Sequence, residues 1–480
     1  MDQLAGFPLL PETATVLCRS ERRIRGRVRP ASAADVAAIV RACGERGWPL
    51  HPVSGGRNWG MGSFLPDADD CVVVDLSALK AIGPLNRDTA TVRIEAGVTQ
   101  AELDAWLRQH APEFAFNVTG AGSATTIIGN ALERGLGYTG SRTEDLFGFE
   151  AVLADGSEHR PDPAWFSLTG VIPAGMHVEP LLAQSGLAVV TAAHLRLRQR
   201  QEYEAAIVVS GDPEPVFATV VTAYREGLFT LPVHMGGGGR IDGLGRGFLR
   251  QRWGREPSME EVRRIFPISA ETSALGALHG RARVVRATVG ELRRLAAPGV
   301  RVRVATDTRF RQAETWCRRF GLRDKAEFFG ALRPLMALAW GEPTQAGVAG
   351  LDLPVGTDDP DRAPRGCFYF NAVSAPVWSA SAEIERLCAS AWRDWALTRV
   401  FNSGRELVHV INWRFDDADT ARAQAALKAF TADLRQRGYP PYRLSQQAMA
   451  PVASNVAHSI KQALDPRNLI SPGHYPAARE

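Results

Sequence analysis

The sequence predicts an α+β protein of more than one domain, on three observations. At 480 residues the chain is longer than one ordinary domain. From Pro30 onward, short helical stretches alternate with short β-rich runs. Glycine-rich loops dominate the N-terminal portion, and near Arg198 they give way to longer helix candidates interleaved with strands.

Taken in order, Ser32-Ala-Ala-Asp35 is an N-cap signature ahead of Val36, Ile39 and Val40 at helical spacing, and this helix ends near Gly47. After Pro49-Leu50-His51-Pro52 comes a glycine-rich loop. The runs Cys71-Val-Val-Val-Asp75 and Thr91-Val-Arg-Ile-Glu95 then read as strands of one sheet. Thr99-Gln-Ala-Glu102 is a capping box that opens an amphipathic helix with Leu103, Trp106 and Leu107 on one face. A second glycine cluster covers Gly120–Gly140, Glu150–Gly156 reads as a strand closed by an Asp-Gly turn, and Leu187–Leu197 reads as a long strand. Beyond Arg198, Val289–Ala296, Ser381–Ala396 and Ala421–Arg437 are helix candidates, and Glu406–Phe415 alternates as a strand.

Composition narrows the function classes. A net charge of +4 spread along the chain, with no basic stripe or tail, argues against nucleic acid as a partner. No run of eighteen apolar residues and no leader-like N-terminus is present, so the expectation is a cytoplasmic protein that does not enter a membrane. The six cysteines form no C-x-x-C pair and have no histidine at zinc-finger spacing, which points to reduced, buried thiols and no metal site.

Ser54-Gly-Gly-Arg-Asn-Trp-Gly-Met-Gly-Ser63 packs four glycines into ten residues after a strand-like segment. Glycine permits the positive-φ turns that aim several backbone N–H groups at one anion, so a pyrophosphate is its natural guest; the alternative is an ordinary surface loop. Gly120-Ala-Gly122-Ser-Ala-Thr-Thr-Ile-Ile-Gly129-Asn130 repeats the chemistry, and two such loops suit a long dinucleotide. Neither loop is a G-x-G-x-x-G opening a helix or a Gly-Lys-Ser/Thr P-loop, which disfavours a nicotinamide dinucleotide in a Rossmann domain.

Gly56-Arg-Asn-Trp-Gly-Met-Gly62, then Gly129-Asn-Ala-Leu-Glu-Arg-Gly-Leu-Gly-Tyr-Thr139 and Glu150-Ala-Val-Leu-Ala-Asp-Gly156, resemble the FAD-binding core of the vanillyl-alcohol oxidase/p-cresol methylhydroxylase family in order and spacing. Leu182–Thr191, Gly366–Phe370 with Pro376, and Asp465–Gly473 resemble further segments of the same family, so the resemblance covers nearly the whole chain. It implies a two-part FAD-binding domain of the p-cresol methylhydroxylase type, with an α+β cap domain roofing the flavin. The expected parts are residues 1–200 for the N-terminal part of the FAD domain, 201–425 for the cap, and 426–480 for the segment that returns to the FAD domain.

By the same resemblance, Ser54, Gly55, Gly56, Arg57, Asn58, Trp59, Gly60, Gly122, Ser123, Gly129, Asn130, Gly135, Tyr138 and Val190 bind FAD. His409 matches the position where some members attach the flavin covalently, and a half-buried strand histidine is the competing reading. Arg57 stands where berberine-bridge-type relatives carry a second tethering histidine, so two-point attachment is not expected. Tyr442-Arg443 resembles the pair that binds a phenolic oxygen as phenolate, against the alternative of a surface turn with a snorkelling arginine. Met61 replaces a further tyrosine of the phenol-oxidising members and supplies no donor. Glu144 and Asp145 follow Tyr138-Thr139, where the family keeps an acidic residue near the flavin, against the alternative of solvated loop acids.

The resemblance implies hydride transfer from a benzylic or 4-hydroxybenzylic carbon of a small aromatic substrate to FAD, with oxygen or another carrier as final acceptor and a homodimer through the caps. The same fold also serves oxidases and dehydrogenases of hydroxy acids, amino compounds and biosynthetic intermediates, a reading that Met61 encourages. A flavin-binding scaffold without catalysis is the rival from another class.

Overall fold

The computed structural model describes residues 3–11, 16–57, 61–62, 64–162, 179–267, 271–351, 353–357, 359–402, 404–450, 452–475 and 477–478. Its first sheet is parallel and three-stranded, with Cys71–Asp75 between Ile24–Val28 and Leu50–Val53. All five residues of the central strand are buried, which is why residues 71–74 read as an apolar run rather than an alternation. Helix Ala33–Arg46 links two of these strands, and buries Val36, Ile39, Val40 and Cys43. Ser32 caps it by accepting from the Asp35 N–H, and Gly47, at φ 62°, ends it in the left-handed conformation that glycine adopts without strain.

Thr91–Glu95 does not join that sheet, contrary to the sequence expectation. It lies in a five-stranded sheet in the order Glu158–His159, Leu146–Val152, Val189–Arg196, Thr91–Glu95, Ile82–Asn86, antiparallel throughout. Both runs are β-rich, but a run's own pattern does not name its pairing partner. The Thr99 capping box forms as predicted and opens helix Gln100–His110.

From Tyr203 to Phe415 the chain builds a seven-stranded antiparallel sheet. Its order is Arg301–Ala305, Tyr203–Gly211, Thr272–Gly280, Val233–Gly236, Trp395–Phe401, Leu407–Phe415, Gly366–Ser374. One face is covered by helices Pro213–Arg225, Ala282–Leu295, Trp378–Ala391 and Thr420–Gln436, through residues such as Ile207, Phe401, Ile411 and Trp413. The other face looks toward the N-terminal sheets and toward helices Gly238–Trp253 and Arg323–Ala339. The candidate helix Ser381–Ala396 ends early, at Ala391, because Trp395–Phe401 is recruited as a strand.

The C-terminal segment folds back on the first sheet. Asp465 accepts from the N–H groups of Leu469 and Ile470, both at 2.8 Å, and Leu50 then exchanges backbone bonds with Leu469 and Ser471. All six cysteines are buried and unpaired. Among the described residues, no helix is long and apolar enough to cross a membrane.

Candidate active site

Two cavities meet between the N-terminal sheets and the seven-stranded sheet, and share Arg57, Met61 and Asn130 in their walls. The first, about 170 Å³, is walled by Ser54, Gly56, Thr126, Gly129, Gly186 and Val190. Glycine is required here on steric grounds: a Cβ at Gly129 would lie 2.0 Å from Ser54 Oγ, which itself bonds Thr126 Oγ1 at 2.6 Å. Gly56 adopts φ +61°, and a Cβ there would press on Phe64 at 3.1 Å. On the same wall, His51 Nδ1 and Gln446 Oε1 are buried without a hydrogen-bond partner among the described residues. A backbone-lined cradle with hydroxyl, amide and apolar walls fits a dinucleotide.

Other predicted cofactor residues are placed less directly. Gly55 packs on Thr126, Gly122 on Gln345, and the Ser123 carbonyl accepts from the Ala101 N–H; none of the three lines either cavity. Gly135 makes room for Asn130, whose Oδ1 would lie 2.0 Å from an added Cβ. Asn130 Oδ1 in turn accepts from Arg142 at 3.1 Å. Asn58, Trp59 and Gly60 lie outside the described residues.

The second cavity, about 230 Å³, is roofed by the inner face of the seven-stranded sheet: Tyr369 and Asn371, Thr398 and Val400, Val410 and Asn412. Tyr442 and Arg443 both reach it. The chain enters that corner through the Tyr442 N–H, 3.3 Å from the Asn371 carbonyl. Tyr442 is 6% exposed, with the Arg134 guanidinium 4.4 Å from its ring centroid. Burial raises its phenol pKa, and Arg134 and Arg443 oppose that. Arg443 donates to the Glu133 carbonyl at 3.0 Å and to Met61 Sδ, so Met61, Tyr442 and Arg443 converge on one cavity. Tyr138, 3% exposed, stacks on His234 with ring centroids 4.2 Å apart, and both belong to this wall.

Two predicted assignments are corrected. His409 does not face the cavity: strand alternation points its neighbours Val410 and Asn412 inward and turns His409 to the helix-covered face. There it is fully buried beside its cross-strand neighbour Arg399, which donates to Ser381 at 2.5 Å and pairs with Glu385. Burial, then Arg399, pull the His409 pKa down to about 3, so the ring is a neutral core group. The acidic pair also stands apart. Glu144 is exposed, and Asp145 accepts from Asn117 Nδ2 at 2.9 Å, its pKa pushed up to about 6 by burial; neither lines a cavity. The short turn Arg142–Asp145 directs them elsewhere.

Sequence reasoning missed the two acids that do line the cradle, Asp67 and Glu133. Glu133 Oε1 lies 3.0 Å from His474 Nε2, and Asp67 Oδ2 lies 2.7 Å from His474 Nδ1. Burial disfavours the imidazolium, but the two carboxylates outweigh it and raise the His474 pKa to about 10. His51, on the same wall, is driven down to about 4 by burial. Glu133 sits inside one recognisable motif and His474 directly follows another, yet a partnership across 341 residues leaves no local pattern.

Comparisons with known proteins agree with this geometry. Residues 24–161 match a family profile described as an FAD binding domain. The chain is 26% identical, over 97% of its length and 92% of the relative's, to 1'-carboxy-chondrochloren decarboxylase of Chondromyces crocatus. It is 23% identical to the 4-cresol dehydrogenase [hydroxylating] flavoprotein subunit of Pseudomonas putida, over 92% and 85% of the two chains. The structure of p-cresol methylhydroxylase with substrate bound superposes with a TM-score of 0.78 at 19% identity, covering 97% of this chain and 91% of that one. For 4-ethylphenol oxidase from Gulosibacter chungangensis in complex with isoeugenol, the TM-score is 0.77 at 20% identity, with 99% and 92% covered.

Fold and cradle together define an FAD-dependent oxidoreductase with a p-cresol methylhydroxylase-type FAD-binding fold. These similarities match the vanillyl-alcohol oxidase/p-cresol methylhydroxylase family that the sequence motifs resemble.

Proposed function

We propose that this enzyme removes hydride from an activated carbon, benzylic or 4-hydroxybenzylic, of a small aromatic substrate held in the cavity beside Tyr442. The observation that carries the reading is the junction of the two cavities at Arg57, Met61 and Asn130: a glycine cradle on one side opens onto a pocket with a tyrosine–arginine pair on the other. FAD, when bound along Ser54–Arg57 and Thr126–Asn130, supplies the hydride acceptor. Tyr442 and Arg443 would direct an O–H donor and a guanidinium at one substrate oxygen, favouring its anionic form and pushing electron density toward the carbon that loses hydride. The apolar roof of Val400 and Val410 would hold the ring and keep water from the reacting carbon. Residues 1–200 and 426–480 would carry the cofactor, and residues 201–425 would form the cap.

A second reading keeps the flavin chemistry and changes the substrate to a hydroxy acid, amino compound or biosynthetic intermediate. Met61 favours it, because a thioether gives no third donor to a phenolate, and so does a relative named for removal of a carboxyl group. Anaerobic mixing with 4-ethylphenol and with 2-hydroxy acids tests both. Flavin bleaching by the phenol supports the first reading; bleaching by hydroxy acids alone refutes it. A flavin that is photoreduced normally but bleached by no candidate substrate, amino compounds included, favours a non-catalytic flavin carrier.

A further inference from the structure

Among the described residues, five guanidiniums face the substrate cavity, from Arg57, Arg134, Arg240, Arg414 and Arg443, and no aspartate or glutamate lines it. A concave site walled by one sign of charge concentrates ligands of the other sign. Two of the five are already neutralised, Arg57 by Asp359 at 3.0 Å and Arg414 by Asp394 at 3.0 Å. Arg134 and Arg443 are engaged at the Tyr442 corner.

Arg240 differs from these four. It lies in the first turn of helix Gly238–Trp253, and Gly239 and Gly243 of that helix share the cavity wall with it, so the positive end of the helix adds to the same field. Among the described residues no carboxylate pairs with it, and the phenols Tyr138 and Tyr369 share the cavity wall with it. Burial works against the guanidinium's charge, a cost that a bound anion offsets. Arg240 also borders an apolar recess of about 80 Å³ formed with Phe248, Phe266, Leu335 and Met336.

We propose that the substrate carries a carboxylate, and that Arg240 docks it with help from the hydroxyls of Tyr138 and Tyr369. The inference rests on the reading of the Tyr442 cavity as the substrate site, and narrows its ligand to an acid with an aromatic or other apolar body. A guanidinium and two phenol O–H groups suit the two oxygens of a carboxylate, whereas a neutral amide of the same shape brings no charge to meet Arg240.

The test uses the FAD-loaded enzyme, with 4-hydroxycinnamate and its uncharged amide as probes, read by perturbation of the visible flavin band. Neither probe has an sp³ C–H to surrender, so the flavin stays oxidised. The acid should bind at least about tenfold more tightly than the amide, as a charge-assisted contact requires. Arg240→Gln should abolish that preference and leave amide binding within about twofold, and Arg240→Lys should keep part of it. Tyr369→Phe should weaken only the acid, by about three- to tenfold, the loss of one hydrogen bond. Flavin content and melting temperature of each variant establish that it folds. Equal binding of the two probes by the wild type, or an acid preference that survives Arg240→Gln, overturns the proposal and leaves the cavity assignment intact. If neither probe perturbs the flavin band, the cavity assignment itself falls, and the proposal with it.

Discussion

Replacing His474 by glutamine should destabilise the protein strongly at neutral pH and progressively less as pH rises. In the native structure His474 is a cation clamped between Asp67 at 2.7 Å and Glu133 at 3.0 Å, its side chain 18% exposed. The ordinary histidine pKa of 6.5 becomes about 10 in the fold, so folding strengthens proton binding. At about 1.4 kcal/mol per unit this corresponds to roughly 5 kcal/mol, and removing one member of a buried ion pair costs on the order of 3–5 kcal/mol. Because the folded pKa is the raised one, the stabilisation is complete below about 6.5 and disappears as pH climbs through about 10. Glutamine keeps hydrogen-bonding capacity but not the charge, and leaves two carboxylates facing each other. The assay is denaturant unfolding followed by tryptophan fluorescence, with saturating FAD, for wild type and His474→Gln between pH 6.5 and 10. The gap between the two proteins should be widest at pH 6.5 and should shrink toward pH 10. A gap that stays constant across that window would refute the charged clamp.

Three further outcomes follow from the geometry. Acid precipitation should release the flavin into the supernatant, because His409 faces the helices rather than the cavity; a yellow pellet would contradict that placement. Gly129→Ala should yield protein largely free of FAD, since the new methyl would lie 2.0 Å from Ser54 Oγ, and a variant with normal flavin content would show that the cradle relaxes more easily than its packing indicates. Arg443→Gln should slow flavin reduction by 4-ethylphenol about 100-fold or more in stopped-flow absorbance, the usual loss for a group that stabilises developing negative charge; an unchanged rate would remove Arg443 from the chemistry.

Much of the fold is legible along the chain because its causes are local. The Ser32 cap, the Thr99 capping box and the run Cys71–Asp75 each involve residues close in sequence, whose hydrogen bonds or burial repeat at a fixed spacing. The glycine loops are legible for the same reason, since a tight, anion-cradling turn admits few other residues. Met61, Tyr442 and Arg443 were singled out by motif, and they do share one cavity.

Chemistry beyond those motifs was not visible locally. Glu144 and Asp145 have the right residue type in a plausible place, but a single turn of backbone aims them away from the cavity. His409 belongs to an alternating strand, and alternation establishes that Val410 and His409 face opposite ways without saying which face meets the flavin; only the packing of helices Trp378–Ala391 and Thr420–Gln436 on one side of the sheet decides that. The His474 clamp, and the absence among the described residues of a carboxylate paired with Arg240, depend on which distant side chains arrive within about 3 Å, the range of a hydrogen bond or ion pair. Capping, alternation and turn chemistry act over a few residues and were therefore readable in order, whereas charge pairing acts through space, so its outcome waits on the folded chain.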